Sequence, residues 1–451
     1  MTTLDTLRKA GLFTRNVPRY TSYPTAPYFH EGVNGKIFES WVQALDAGTK
    51  LSLYVHIPFC ERLCWFCACR TQGVKNLSPV EAYLEVLGLE IAHLARTLPE
   101  GMVISRIHWG GGSPTILPPH LIHALTKMLR KVAPFDPDIE FSIEIDPTSV
   151  DDAKLAAMAA AGMNRASIGI QDFNSKVQAT IGREQSFDVT KGVIEKLRDL
   201  GVRSVNADIV YGLPHQTRET LAETLNSVLA LDPDRVALFG YAHVPWMAKR
   251  QKMIPDSTLP QPLARFDLFN QASQVFGEAG YQSLGIDHFA KPDDSLAIAA
   301  REKRMRRNFQ GYTDDTCAAL IGLGASSISR FPNGYVQNRA TTNAYTNDIK
   351  AGNWAAARGY SLSVEDKIRA RAIEMLMCDL QIDLTELLAE FGERISILIS
   401  DIDALRRTYH EFLDFANDVL TVKDEGFHLI RILASGLDAY QSSSAKHSMA
   451  V

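Results

Sequence analysis

Three cysteines, Cys60, Cys64 and Cys67, stand in the short stretch FCERLCWFC, with three and then two residues between them. Thiolates are soft ligands suited to iron–sulfur clusters, and four of them normally complete a cubane. Three thiolates from one tight loop leave the fourth iron open. An open iron can take an amino and a carboxylate group together, as carried by S-adenosylmethionine (SAM), whose sulfonium a reduced cluster splits to release a 5′-deoxyadenosyl radical. A structural zinc loop would draw on a second Cys/His pair, and no pair with that spacing is present. Cys69 is extra to the set of three: it is a thiol on the substrate side of the site or a bystander. Cys317 and Cys378 stand alone in apolar surroundings and read as small buried side chains.

A second group follows at Gly110-Gly111-Gly112-Ser113-Pro114-Thr115. Three glycines let the backbone approach a ligand closely and offer N–H groups to it, although alone such a run is as readily a tight turn. Behind the thiol loop it is a candidate for holding the methionyl end of SAM. Glu144, in SIEIDP, is either a helix cap or a partner of that ligand; beside the glycines we read it as the latter.

The elements that must position these groups are legible between residues 51 and 245. Apolar or β-branched runs at 51–59, 103–109, 140–146, 165–171, 204–213 and 235–244 read as strands. Helical patterns at 79–97, 119–132, 151–161, 187–200 and 217–230 separate them. Strand–helix alternation with short links implies a parallel sheet with right-handed crossovers. Six units are too few for an eight-stranded barrel and suit a partial (β/α)6 TIM-type barrel of the α/β class, whose site lies at the C-terminal strand ends. The polar groups collect at those ends: the cysteines follow the first strand and the glycines the second, Glu144 ends the third, Gln171 the fourth, Asp208 lies in the fifth and Ala242 ends the sixth. Residues 1–48 are expected to form an N-terminal extension or lid, 49–360 the catalytic domain and 361–451 a mainly helical C-terminal domain joined near 352–362. The Ser-rich tail after Tyr440 is expected to fray.

The chain has 451 residues, 46% hydrophobic and 22% charged, with a formal net charge of −5. That composition suits a globular enzyme and argues against a general nucleic-acid binder. No stretch approaches the ~18 consecutive apolar residues of a membrane span, and MTTLDTLRKAGLF lacks the apolar run of a signal peptide. A cytoplasmic protein is expected.

The run LYVHIPFCERLCWFCAC resembles the oxygen-independent coproporphyrinogen III oxidases, or coproporphyrinogen dehydrogenases, of the radical SAM superfamily. The similarity extends to PRYTSYPTA (18–26), HWGGGSPT (108–115), SIEIDP (142–147), GIQDFN (169–174), DIVYGLP (208–214), YAHVP (241–245), GIDHFAKPDD (285–294) and NFQGYT (308–313). It implies oxidative decarboxylation of two propionates of coproporphyrinogen III to vinyl groups, giving protoporphyrinogen IX in porphyrin and haem biosynthesis. It further implies a monomer with one [4Fe–4S] cluster on Cys60, Cys64 and Cys67, two bound SAM molecules, and a low-potential electron donor such as flavodoxin. By resemblance, Tyr54, Gly111, Glu144 and Ile328 contact the first SAM. Phe66, Gly112, Ser113, Gln171, Arg183, Asp208 and Ala242 contact the second. Phe309 and Gln310 match positions next to the site, and Cys69 matches a family cysteine that is not a cluster ligand. Trp65 and Ser113 stand where the family commonly has Tyr and Thr.

Four propionates on the substrate call for arginine, whose planar fork pairs with carboxylates. Arg19 and the run Arg301–Arg307 are candidates, the run reading first as a solvated helix face. Two rivals share the thiol loop, a haem chaperone and an anaerobic haem-opening methyltransferase; PRYTSYPTA and the fourth loop cysteine weigh against the first, NFQGYT and YAHVP against the second.

Overall fold

The computed structural model of the protein describes residues 3–440 together with Ala450, so the tail expected to fray lies almost wholly outside the described residues. Six strands, β1 (Lys50–Ile57), β2 (Val103–Gly111), β3 (Phe135–Ile145), β4 (Arg165–Gln171), β5 (Ser204–Tyr211) and β6 (Arg235–Gly240), pair in parallel in chain order. The crossovers are α1 (Ser78–Thr97), α2 (Pro119–Leu129), α3 (Asp152–Ala161), α4 (Phe187–Asp199) and α5 (Arg218–Ala230). Their starts follow from local chemistry. Proline occupies the first turn of α1 and α2, where its missing N–H costs nothing. Asp151 and Ser186 cap α3 and α4, and Thr217 with Thr220 forms a capping box on α5. This is the expected α/β partial barrel.

The period-two geometry of a strand divides the sequence of each one between two environments. Ile107, Trp109, Phe141, Ile143, Ile168, Ala207 and Leu238 point to the helices and are buried in one apolar core. Their neighbours Arg106, His108, Glu140, Glu144, Arg165, Asn206, Asp208 and Arg235 point inward and line a polar cavity of about 180 Å³. Charge inside the barrel is compensated locally: Arg106 lies 2.8 Å from Glu140 and 2.9 Å from Asp314, and Arg165 3.5 Å from Glu140.

The sheet does not stop at six strands. Beyond β6 it adds β8 (His288–Ala290) and β7 (Gln282–Leu284), both antiparallel. Beyond β1 it adds β9 (Ala319–Leu323) in parallel, then β10 (Ile328–Phe331), β11 (Gly334–Asn338) and β12 (Ala356–Ser361), reaching twelve strands. The stretch read as a link near 352–362 contains β12. These edge strands are three to six residues long, too short to show a period.

Residues 364–437 fold around the helix Val364–Asp379, with a three-stranded sheet of Gln381–Asp383, Val419–Val422 and Leu413–Ala416. Their apolar core includes Leu7, Leu12, Val17, Tyr20 and Tyr23, so the start of the chain packs with its end. The helix Gly35–Gln43 instead buries Phe38 and Val42 against the barrel core. The Arg301–Arg307 run is not one helix face: Arg301 ends a helix, Arg304 pairs with Glu302, and Arg307 is buried over the Tyr312 ring at 4.3 Å.

One carboxylate ties α1 to the added edge. Glu90 is buried and accepts from Gly324 N (2.7 Å), Asn338 Nδ2 (2.8 Å) and Tyr345 Oη (2.7 Å). Burial nevertheless outweighs the three donors and pushes its carboxyl up to about 7, from an ordinary 4.5. Between those values the folded chain holds a proton that the unfolded chain lacks. This group's contribution to stability is therefore full below the lower value and is lost as pH rises toward the upper one. Glu90→Gln removes the dependence. In urea titrations the margin of wild type over Glu90→Gln should widen on going from about pH 7.5 to about pH 5.5; a margin that stays constant would contradict it.

Candidate active site

The thiol loop leaves β1 at Ile57 and is closed at its base by a two-residue parallel pair, Phe59–Cys60 with Gln72–Gly73. Gln72 N donates to Pro58 O (2.9 Å) and Val74 N to Cys60 O (3.1 Å). At its far side Trp65 N donates to Ile181 O at 2.8 Å, and the indole lies against Gly182. Trp65, which departs from the family's usual Tyr, thus has a packing task that needs no hydroxyl.

Cys60, Cys64 and Cys67 line a single cavity of about 440 Å³ at the C-terminal ends of the strands. Cys64 is buried, and Cys60 and Cys67 are half-buried. Among the described residues no three Cys, His, Asp or Glu side chains are grouped so as to hold a single metal ion. Donors approach all three sulfurs: the Thr71 hydroxyl lies 3.1 Å from Cys60 Sγ, Arg183 Nη1 3.5 Å from Cys64 Sγ, and Cys69 N donates to Cys67 Sγ at 3.3 Å. Hydrogen bonds to sulfur are a means by which proteins set cluster potentials. Burial pushes the Cys60 thiol up to about 11, so this sulfur becomes a thiolate only against a cation. The Cys69 thiol hydrogen-bonds to Cys67, which lowers Cys67 and raises Cys69. The donor set fits a cluster held by three thiolates with Cys69 beside it.

The glycine run is fixed first by protein contacts. A Cβ on Gly110 would sit 2.5 Å from Glu144 Oε1, one on Gly111 2.5 Å from the His56 ring, and one on Gly112 2.5 Å from the Phe59 carbonyl oxygen. Gly111 also has φ +109°, a region L side chains avoid. Gly112 N donates to Ile57 O and Ser113 N to Phe59 O, both at 2.8 Å, which stitches the glycines to the base of the thiol loop. Gly111 N donates to Glu144 Oε2 at 3.2 Å, and His108 Nε2 lies 3.2 Å from Oε1. His108 stacks on Tyr54, whose hydroxyl lies 3.0 Å from His56 Nδ1.

On the opposite flank, Arg183 Nη2 donates to Gly169 O (2.8 Å) and Nη1 reaches Asp146 Oδ2 (3.3 Å). Its buried Nε has no protein acceptor among the described residues, a donor that suits a carboxylate in the cavity. Asp208 accepts from Ser167 Oγ (2.9 Å) and Asn206 Nδ2 (2.8 Å), and burial pushes its carboxyl up to about 6. Gln171 ends β4 with φ +69°.

Of the expected residues, Phe66, Cys69, Gly111, Gly112, Ser113, Glu144, Gln171, Arg183, Asp208 and Ala242 line the cavity with the three cysteines. Tyr54 and Ile328 do not line it. Gln310 lines the adjoining polar cavity inside the barrel, which also touches Glu144 and Asp208. Phe309 is 37% exposed and packs edge-on against Phe29 and Tyr335. Arg19 does reach the cavity, with Nη2 donating to Gly240 O at 2.8 Å. Sequence reasoning passed over Arg250 and Gln251, which follow YAHVP after a loop. Gln251 Nε2 donates to Phe66 O (2.7 Å) and Ala242 O (3.0 Å), and Arg250 Nη2 to Cys69 O (3.2 Å).

The glycine contacts predict a ranking. Gly112→Ala meets a backbone oxygen that cannot turn away, so it should cost about 2 kcal/mol or more in urea unfolding. Gly110→Ala meets only the end of the Glu144 side chain and should cost less. Equal losses would show that the joint yields as easily as a side chain.

The Radical SAM superfamily profile matches residues 54–228. The anaerobic coproporphyrinogen III oxidase of Cereibacter sphaeroides is 52% identical over 451 residues, spanning 100% of both chains. The oxygen-independent coproporphyrinogen III oxidase of Paracoccus denitrificans is 48% identical over 99% of each chain. A solved structure of coproporphyrinogen III oxidase from Escherichia coli, described as a radical SAM enzyme, superposes with a TM-score of 0.90 at 36% identity, covering 95% of this chain and 100% of that one. Similarity at this level along the whole chain, together with a thiol loop at the mouth of a partial barrel, admits one assignment: the chain belongs to the oxygen-independent coproporphyrinogen III oxidases of the radical SAM superfamily.

Proposed function

We propose that this protein converts coproporphyrinogen III to protoporphyrinogen IX without oxygen, by oxidative decarboxylation of two propionate side chains. The observation that carries the reading is the 52% identity to a relative of that activity over the whole of both chains; neither a chaperone nor a haem-opening methyltransferase accounts for it. A [4Fe–4S] cluster with SAM supplies the one-electron chemistry that produces a hydrogen-abstracting radical.

The chain's own residues bind, orient and seal. Cys60, Cys64 and Cys67 hold the cluster. On the flank of β2 and β3, Glu144 and Gly111 hold the amino-acid end of a first SAM, with Tyr54 and Ile328 supporting from β1 and β10. On the flank of β4 to β6, Arg183 receives the carboxylate of a second SAM through its fork. Asp208 accepts hydroxyl hydrogen bonds there, and Phe66, Gly112, Ser113, Gln171 and Ala242 complete the wall. Cys69 and Gln310 face the substrate side. Phe309 acts through its packing on Phe29, which ties residues after PRYTSYPTA to the rim. Arg19 at the cavity edge is placed to take a propionate. The walls keep water from the radical. The reading is of a monomer working in the cytoplasm with a low-potential donor such as flavodoxin; no helix of the described residues is long and apolar enough to cross a membrane.

With a low-potential reductant under argon, methionine released per protoporphyrinogen IX should be about two, since each decarboxylation consumes one SAM. SAM cleavage with coproporphyrinogen III left unchanged would refute the reading. Reconstituted protein should carry about four irons. Cys64→Ala should lose them, whereas Cys69→Ala should keep them; loss in both would reverse the ligand assignment. Arg183→Ala should lower the number of SAM molecules bound at equilibrium from about two to about one, and an unchanged count would remove Arg183 from the second site.

A further inference from the structure

The segment that seats Gln251 and Arg250 on the thiol loop has an outer side that neither fold nor site uses. It is the short 3-10 stretch Lys249–Met253, KRQKM, with the turn before it. Met247 is 72% exposed and Met253 59%, and Lys249 and Lys252 are exposed between them. Arg70 on the thiol loop and Lys75, two residues past its closing pair, are exposed as well. Two exposed acids lie nearby, Asp256 at 2.9 Å from His243 Nε2 and Glu61 at 3.9 Å from Lys154 Nζ, against four exposed cations. On a chain of net charge −5 this is a local positive field with two large unbranched apolar side chains in it. Methionine adapts its shape to a partner and recurs at interaction surfaces. A ring of one charge sign speeds and orients the approach of the opposite sign.

We propose that this patch, Met247, Lys249, Lys252 and Met253 with Arg70 and Lys75, docks an acidic one-electron carrier protein at the thiol loop. The inference rests on the proposed function, in which each SAM cleavage takes up one electron, the carrier being oxidised by one and the site reduced by one, while each substrate radical passes one electron on to an acceptor as CO2 leaves. The position is decisive. Arg250 and Gln251 hold the patch to Cys69 and Phe66 by hydrogen bonds of 3.2 and 2.7 Å, so a carrier seated there abuts the loop that holds the cluster, whereas one on the outer helices would be separated from it by the sheet.

The test uses the reconstituted full chain and, as probe, an acidic flavodoxin, with binding followed by calorimetry or flavin fluorescence. Wild type should bind more weakly by about tenfold as salt rises from about 50 to about 300 mM. The double variant Lys249→Glu/Lys252→Glu should bind about tenfold more weakly at low salt, with little salt dependence left. Met247→Ser/Met253→Ser should weaken binding while leaving the salt dependence in place. With reduced methyl viologen as donor, all three proteins should turn over alike; with reduced flavodoxin the charge-reversed variant should show a raised KM for the carrier. Unchanged binding in the charge-reversed variant overturns the proposal, as does an equal loss in the control Lys127→Glu/Lys131→Glu at the end of α2 and the turn after it. So does a patch that instead binds anionic vesicles or a second copy of the chain while flavodoxin binding persists. Failure of wild type to turn over with methyl viologen would count against the proposed function, and the binding measurement would still decide the docking site.

Discussion

The thiol loop depends on a joint of backbone hydrogen bonds and one carboxylate in which three chain segments meet. Ile57 and Phe59 carbonyls accept from Gly112 and Ser113, and Gly111 donates to the carboxylate of Glu144. The β1 exit, the β2 exit and the β3 tip are thereby held within single hydrogen-bond lengths of one another. Any Cβ at Gly112 would sit 2.5 Å from the Phe59 carbonyl oxygen, well inside van der Waals contact, so the joint closes only with glycine there. The loop's other fastenings, Trp65 on Ile181 and Gln251 on Phe66, hold its outer turn. Two fastenings on opposite sides fix where the sulfurs can be, which a loop of this length does not do for itself.

The strands were readable because each has one apolar face buried under helices, and that face sets the period. The same period hid the barrel's interior. Arg106, Glu140, Arg165 and Arg235 alternate with the apolar residues and would serve equally well as solvated positions on a half-exposed strand. Only closure of the sheet turns that face inward, where each charge needs a partner. Partners such as Asp294 and Asp314 lie far along the chain, and no local rule links them to the strands.

Site residues at strand ends were legible for a similar reason: polar and glycine residues at the C-terminal ends of apolar runs fall at one end of a parallel sheet. Phe309 and Ile328 were not placed by any such rule. Ile328 begins a short antiparallel edge strand and Phe309 lies in the turn of a separate two-stranded pair, 306–308 with 311–313, and the structure puts both outside the cavity walls. The glycine run shows a different limit. Its spacing signals close approach, but whether to a ligand or to protein is decided by Glu144, His56 and Phe59, of which only Glu144 was weighed as a neighbour. Arg250 and Gln251 left no signal, since an irregular loop between a strand end and a helix carries no period.

The core shared by the two ends of the chain has a consequence for synthesis. Leu7, Leu12, Val17, Tyr20 and Tyr23 find their apolar partners between Ile368 and Leu437. At ~5–20 residues per second, the first turns of the chain emerge from the ribosome roughly half a minute before the surface that covers them. The barrel in between can close meanwhile, because its own core is contiguous from β1 to β6. The segment Leu7–Tyr23, although made before the barrel, settles after it, and PRYTSYPTA reaches the rim of the cavity only once residues through Leu437 have been made.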